Sequence, residues 1–273
     1  MPMLKEYKYP VLAPSKIKAP GGKYRTLDGL PVRDLSVLIS MLSTLKNINQ
    51  NAKGHTGNIT EIENPRTIVE QYRQLVILAK EAGFDGIELL SQGGYLLHNF
   101  LCSHANHRSD AYGGSVENRC RFPLEVLDAI TSVWGSRAVG VKLCPTDDYN
   151  NSVVSFEELT ETYAYYINEL MKRNLGFINL SRRGCDVGRN QDDYFKSNPR
   201  PAGKELPLNY EPLHQFGSMI KRPRSPTLLI VNHEYTPEEA ENLVKSAQID
   251  LVTFARPFIY NPDFVSCLKT KEP

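Results

Sequence analysis

Polar side chains recur in this 273-residue chain at one kind of position, immediately behind short apolar runs. Ser91-Gln92 follows Gly86-Ile87-Glu88-Leu89-Leu90, and Pro145-Thr146-Asp147-Asp148 follows Ala138-Val139-Gly140-Val141-Lys142-Leu143. Ser181-Arg182-Arg183, Asn232-His233-Glu234 and Arg256 stand behind three further runs. Amides and hydroxyls at such places can orient a ligand, and an arginine suits phosphate through its planar fork of donors. Lys142 lies inside its apolar run, where an ammonium needs a partner or a ligand, or must reach solvent at the end of the strand. Asp147 and Asp148 are adjacent carboxylates. No third ligand at a sensible spacing accompanies them, so a helix cap or a solvated loop is expected rather than a metal site. Cys144, ahead of Pro145, reads as a buried, inert thiol.

These groups converge only if the apolar runs lie side by side, and the intervening segments predict that they do. Residues 64–82 read as a helix, with Asn64 as N-cap, Pro65 in the first helical position and Gly83 as the stop. Further helices are expected over 121–133, 155–173, 209–220 and 236–246, the last capped by Thr236. Near-continuous apolar strands alternating with amphipathic helices mean a parallel sheet of βα units, whose strand carboxyl ends carry the site. Five such units are present, where a closed (β/α)8 barrel needs eight. Residues 1–31, rich in Pro, Gly and Lys, read as an extended loop, and 37–50 as a helix. No GxGxxG follows a strand and no GxxxxGK[ST] occurs, so neither a Rossmann nor a P-loop nucleotide site is supported.

Composition narrows the partners. Lys+Arg number 32 and Asp+Glu 31, a net charge of +1, which gives no overall field for nucleic acid or anionic lipid. No apolar run reaches membrane-spanning length, and the first residues lack the apolar core of a signal peptide. The five cysteines are odd in number and widely spaced, forming neither a CxxC pair nor a disulfide framework. A soluble protein of a reducing compartment, the cytoplasm, is expected.

At several places the sequence resembles the Old Yellow Enzyme family of flavin-dependent NAD(P)H oxidoreductases. The matching stretches are Ala82-Gly83-Phe84-Asp85-Gly86-Ile87-Glu88, Gly94-Tyr95-Leu96-Leu97-His98-Asn99-Phe100-Leu101, and the distinctive run Arg108-Ser109-Asp110-Ala111-Tyr112-Gly113-Gly114-Ser115-Val116-Glu117-Asn118-Arg119. Gly140-Val141-Lys142-Leu143 and Phe254-Ala255-Arg256-Pro257-Phe258 add two more. The resemblance covers residues 8–35 and 59–273. It implies a single α/β domain over 1–273, a TIM (β/α)8-type barrel lacking its first three strands. It also marks 37–58 as an insertion, read here as translated intron or a mis-set gene boundary. An abundant transcript retaining that segment in frame would count against this.

The resemblance further implies FMN as cofactor and NAD(P)H as reductant, with hydride passing from the reduced flavin to a small-molecule substrate, an activated alkene such as an α,β-unsaturated carbonyl. Tyr95 matches the tyrosine that gives the α-carbon its proton. The two positions whose side chains usually hold the carbonyl oxygen read Leu90 and Gly93, neither of which can donate a hydrogen bond. Ser91, Gln92 and His98 are the nearby substitutes, and Gln92 is the best of them because its amide can donate to oxygen. Lys142 matches the cation beside the flavin pyrimidine, and Arg256 a phosphate contact. The phosphate cradle, usually of small residues, reads His233, Glu234 and Ala255. Glu234 would repel a phosphate if it pointed inward. The Arg108–Arg119 run carries no evident chemistry: Gly113-Gly114 is expected to turn, and Glu117 to pair with Arg119 and Arg121. Two other readings stand beside an FMN-dependent oxidoreductase. One is a non-redox pseudoenzyme or biosynthetic enzyme reusing the barrel cavity, the other an inactive truncated gene product.

Overall fold

A computed structural model of the chain describes residues 11–13, 59–148, 152–184 and 200–270. The helix expected over 37–50 and the insertion assigned to 37–58 lie outside them. Two short strands, β1 (Val11–Ala13) and β2 (Ile59–Glu61), pair in parallel with Val11 opposite Ile59. Then follow α1 (Pro65–Glu81), β3 (Ile87–Ser91), α2 (Leu96–Leu101), α3 (Val116–Trp134), β4 (Val139–Leu143), α4 (Phe156–Lys172) and β5 (Phe177–Ser181). The described chain ends with α5 (Pro212–Ile220), β6 (Leu228–Asn232), α6 (Pro237–Lys245), β7 (Leu251–Thr253), α7 (Arg256–Tyr260) and α8 (Phe264–Thr270). Strands β3 to β7 form one parallel sheet in sequence order. This is the expected run of five βα units, an incomplete barrel among the described residues.

The helices start where side-chain oxygens cap them. Asn64, Ser115, Ser155 and Thr236 each accept a backbone N–H of the first turn, a contact worth about 1 kcal/mol. The Ser115 cap corrects one expectation. Helix α3 begins at Val116, five residues before Arg121, and carries Pro123 inside it. Within it Arg119 turns inward instead of meeting Glu117. Its guanidinium donates to Leu101 O at 2.9 Å and Thr162 Oγ1 at 3.0 Å, and lies 3.6 Å from Glu158. Arg121 donates to Ala111 O and Asn118 Oδ1. Burial explains the change: carbonyls left over at the end of α2 need a donor more than an exposed Glu117 needs a partner.

The run from Arg108 to Arg119 is tied down by hydrogen bonds. Arg108 donates to Asp110 and to Ile62 O at 2.6 Å, and Asn106 Nδ2 bridges Phe100 O and Tyr112 O. Gly113 lies so close to Arg108 O that an added Cβ would sit 2.1 Å away. Only glycine fits there.

The sheet has two unlike faces. Leu89, Val141, Leu143, Ile178, Leu180, Leu229 and Val231 point into the helical layer and are buried with Phe122, Val126, Tyr166, Ile167 and Phe216 in one core. The alternate residues make the opposite, interior face, and register aligns Leu90, Lys142, Asn179, Ile230 and Leu251 in one row across it. On that face Leu228 is 39% and Leu251 50% exposed.

Candidate functional site

The interior face carries a chain of polar side chains that crosses the sheet. Asn179 Nδ2 donates to Glu88 Oε1 at 2.8 Å, and Asn232 Nδ2 donates to Asn179 Oδ1 at 2.5 Å. Ser181 Oγ lies 2.9 Å from Asn232 Oδ1 and 3.1 Å from Gln92 Oε1. Asn179, Ser181 and Asn232 are buried, so each amide and hydroxyl there needs the partner it has. Parallel pairing sets Asn179 beside Lys142 and Ser181 beside Asn232, and the chain therefore runs from β3 through β5 and β6 and back to the end of β3. Lys142 sits on the same face, half-buried, next to Leu90 on one side and Asn179 on the other. It makes no hydrogen bond or ion pair among the described residues.

Behind β3 the chain turns sharply. Gly93 and Gly94 have φ of +77° and +61°, values a side chain resists. Two buried groups fix this turn from below. The carboxylate of Asp147 accepts the Gly93 N–H, and His98 Nδ1 accepts the Gly94 N–H at 3.0 Å. The turn delivers Tyr95, half-buried at the N-terminus of α2, with its ring against Gly93: a Cβ added to Gly93 would lie 2.7 Å from Tyr95 Cε2. Gly93 cannot hold a carbonyl oxygen with a side chain, but its bareness gives the tyrosine ring its place.

Several expectations change here. Asp147 is neither cap nor solvated loop. It is 2% exposed, packed beneath Gly93 and against Gly184, with His98 Nδ1 4.0 Å away. His98 is buried and committed. Because its Nδ1 accepts, its proton sits on Nε2, 3.3 Å from Tyr163 OH, which donates to Cys144 O at 3.1 Å. Burial pushes the His98 pKa down to about 3, so the ring is neutral. Ser91 faces the helices, 3.5 Å from Tyr166 OH. Of the three substitutes only Gln92 lies on the interior face. Cys144 is fully buried and its thiol is raised well above the usual range by burial, as an inert thiol would be.

Behind β6, His233 and Glu234 both lie in the left-handed region, at φ of +74° and +60°. The backbone thus follows a path that glycine follows freely, while carrying two side chains. The Glu234 carboxylate is held 3.3 Å from Arg183 Nε and 3.7 Å from His233 Nε2. Arg182 is drawn away from the site into ion pairs with Glu211 and Glu239 and over the Tyr235 ring at 3.7 Å. Ala255 follows β7 and Arg256 opens α7; the Arg256 side chain lies outside the described residues.

Sequence reasoning missed Glu88, Asn179, Ser181 and Asn232 as one unit. A signal was present, since Asn179, like Lys142, is a polar residue inside an apolar run.

A profile of the NADH:flavin oxidoreductase / NADH oxidase family matches residues 41–273. The chain is 33% identical over 229 residues to a protein named putative 12-oxophytodienoate reductase 10 from Oryza sativa subsp. japonica, covering 80% of this chain and 66% of that one. It is 32% identical over 204 residues to a probable flavin mononucleotide-dependent alkene reductase of Leishmania infantum, covering 75% and 48%. Among solved structures, morphinone reductase superposes with a TM-score of 0.69 at 29% identity, over 96% of this chain and 60% of that one; it has also been solved with tetrahydroNAD. The chain therefore spans about half to two thirds of the relatives it matches.

Proposed function

Since the chain belongs to the NADH:flavin oxidoreductase / NADH oxidase family, we propose that it is an FMN-dependent NAD(P)H oxidoreductase of the Old Yellow Enzyme type, reducing activated alkenes. One observation carries the reading: Lys142, a cation with no partner among the described residues, stands on the interior face between Leu90 and Asn179. A cation so placed suits the pyrimidine edge of a flavin, which becomes anionic when reduced. The left-handed backbone at His233 and Glu234 supports a phosphate contact there, and the Arg183 pair offsets the charge of Glu234. The residues present fit FMN on these grounds.

Bound there, FMN would supply hydride transfer. The chain's own groups would bind and orient. Lys142 would hold the ring edge, the apolar Leu90 would exclude water from one side of it, and Tyr95 would hold the proton for the substrate carbon at its phenol oxygen. The Asp147 and His98 contacts to Gly93 and Gly94 fix where that phenol stands. Free thiols at Cys102, Cys120 and Cys144 support a reducing, cytoplasmic setting.

The visible spectrum of the purified chain, before and after denaturation, tests the cofactor. Flavin bands that shift on release support the reading, and a colourless protein that takes up no added FMN defeats it. With flavin present, Tyr95→Phe should leave flavin reduction by NAD(P)H intact and slow alkene reduction by about 100-fold or more.

A further inference from the structure

We propose that the polar chain on the interior face fixes the Gln92 amide with its N–H end on Ser181 and its carbonyl oxygen free, so that the site takes a substrate presenting an N–H or O–H donor there. The inference deepens the proposed function and rests on that reading, with Gln92 as the stand-in for the family's carbonyl-holding side chains that the sequence resemblance implies.

The argument follows hydrogen-bond sense from one end of the chain to the other. As a carboxylate, Glu88 can only accept, so the end of Asn179 that faces it is the NH2. Asn179 therefore shows its oxygen to Asn232, which must answer with its own NH2. Asn232 in turn shows Oδ1 to Ser181, whose single hydroxyl proton goes to it across 2.9 Å. Ser181 then has only lone pairs left for Gln92, 3.1 Å away. The two ends of an amide share one shape and differ only in hydrogen-bond sense. An oxygen facing Ser181 Oγ would be one acceptor against another, so the Gln92 end at that position is Nε2. Its carbonyl oxygen is the end the chain does not engage, and Gln92 has no other hydrogen-bond partner among the described residues.

The consequence reverses the role expected of Gln92. Leu90 and Gly93 cannot donate, and Gln92, with one of its two N–H groups spent on Ser181, turns its carbonyl oxygen outward as the acceptor the chain leaves unused. A cyclic imide N–H or a hydroxyl meets the free acceptor instead. Glu88, at the far end of the chain from the substrate, is the positioning residue that sets this polarity.

Moving the carboxylate from one end of the chain to the other tests the argument without flavin. Gln92→Glu places acceptors at both ends, so one contact in the chain must fail, and its thermal midpoint should fall by about 2–4 °C. Adding Glu88→Gln to it lets the whole chain reverse, and the double variant should recover the wild-type midpoint. Glu88→Gln alone permits both senses and should change little. If Gln92→Glu fails to fold, recovery of folding in the double variant carries the same meaning. A Gln92→Glu variant as stable as wild type, or a double variant no better than Gln92→Glu, overturns the assignment. The ligand class is read by ligand-observed NMR with succinimide and N-methylsuccinimide. Wild type should favour succinimide by about tenfold, and Glu88→Gln should lose that preference. Equal binding of the two, or binding of neither at millimolar concentration, overturns the class. Failure to bind FMN would defeat the proposed function and leave the stability cycle untouched.

Discussion

Glu234 offers a clean separation of backbone strain from charge. It lies at φ +60°, behind His233 at +74°. A side chain in that region costs about 1–2 kcal/mol relative to the right-handed one. Glycine avoids this but loses about 0.5–1 kcal/mol more chain entropy on folding. Any substitution of Glu234 also removes its pair with Arg183, whose side chain is 51% exposed, so the pair is worth about 0–1 kcal/mol. For Glu234→Gly these terms nearly cancel, and stability should stay within about 1 kcal/mol of wild type. Glu234→Ala keeps the strain and loses the pair, so it should fall below Glu234→Gly by about 1 kcal/mol, or about 2–4 °C in midpoint. Urea and thermal unfolding of the two variants measure the difference. An alanine variant as stable as the glycine variant refutes the claim that this turn stores left-handed strain. Both variants remove the same negative charge, so both should tighten FMN uptake alike, by several-fold at low salt and less at high salt. Flavin fluorescence titration reads this, and unchanged uptake in both refutes a phosphate at this turn.

Other outcomes follow from the same geometry. Gly93→Ala adds a Cβ at a positive φ and against the Tyr95 ring, so stability should drop by about 1–2 kcal/mol in urea unfolding, with the tyrosine displaced. The neutral His98 makes stability depend on pH. Its folded pKa is lowered to about 3, so the unfolded chain binds the proton first; its contribution is complete above pH about 6.5 and is lost as pH falls toward 3. The loss should approach about 1.4 kcal/mol per pH unit, and His98→Asn should show a shallower slope over that window in pH-dependent denaturation. The thiols of Cys102, Cys120 and Cys144 are buried and raised by burial, so alkylation of those three, mapped by mass spectrometry, should await unfolding.

The order of elements was legible because periodicity and caps are local. Asn64, Ser115, Ser155 and Thr236 mark helix starts within a turn, and apolar runs mark strands. Ser115 caps α3, but the polar stretch Glu117–Arg119 behind it has no apolar rhythm, so periodicity announces the helix only from Arg121. Asp147 misled for a different reason. A carboxylate beside a second carboxylate and a strand end looks solvated, and only the long-range contact with Gly93, 54 residues away, shows why burial is tolerated.

The interior face was harder to see because a parallel strand covered on both sides is apolar on both sides, which erases the alternation that would separate its faces. Polar residues inside such runs restore it. Glu88, Lys142 and Asn179 interrupt three different strands, and register puts all three on one face. A strand buried against helices cannot hold such groups on its helical side without partners there. Parity then carries the face forward, from Glu88 to Leu90 and Gln92 and from Asn179 to Ser181, which is the set of residues the hydrogen bonds join. The sense of those bonds is a further step that residue identity alone does decide, once the neighbours are known. A chain of amides and one hydroxyl has two possible directions, and a single carboxylate at one end leaves only one of them satisfied.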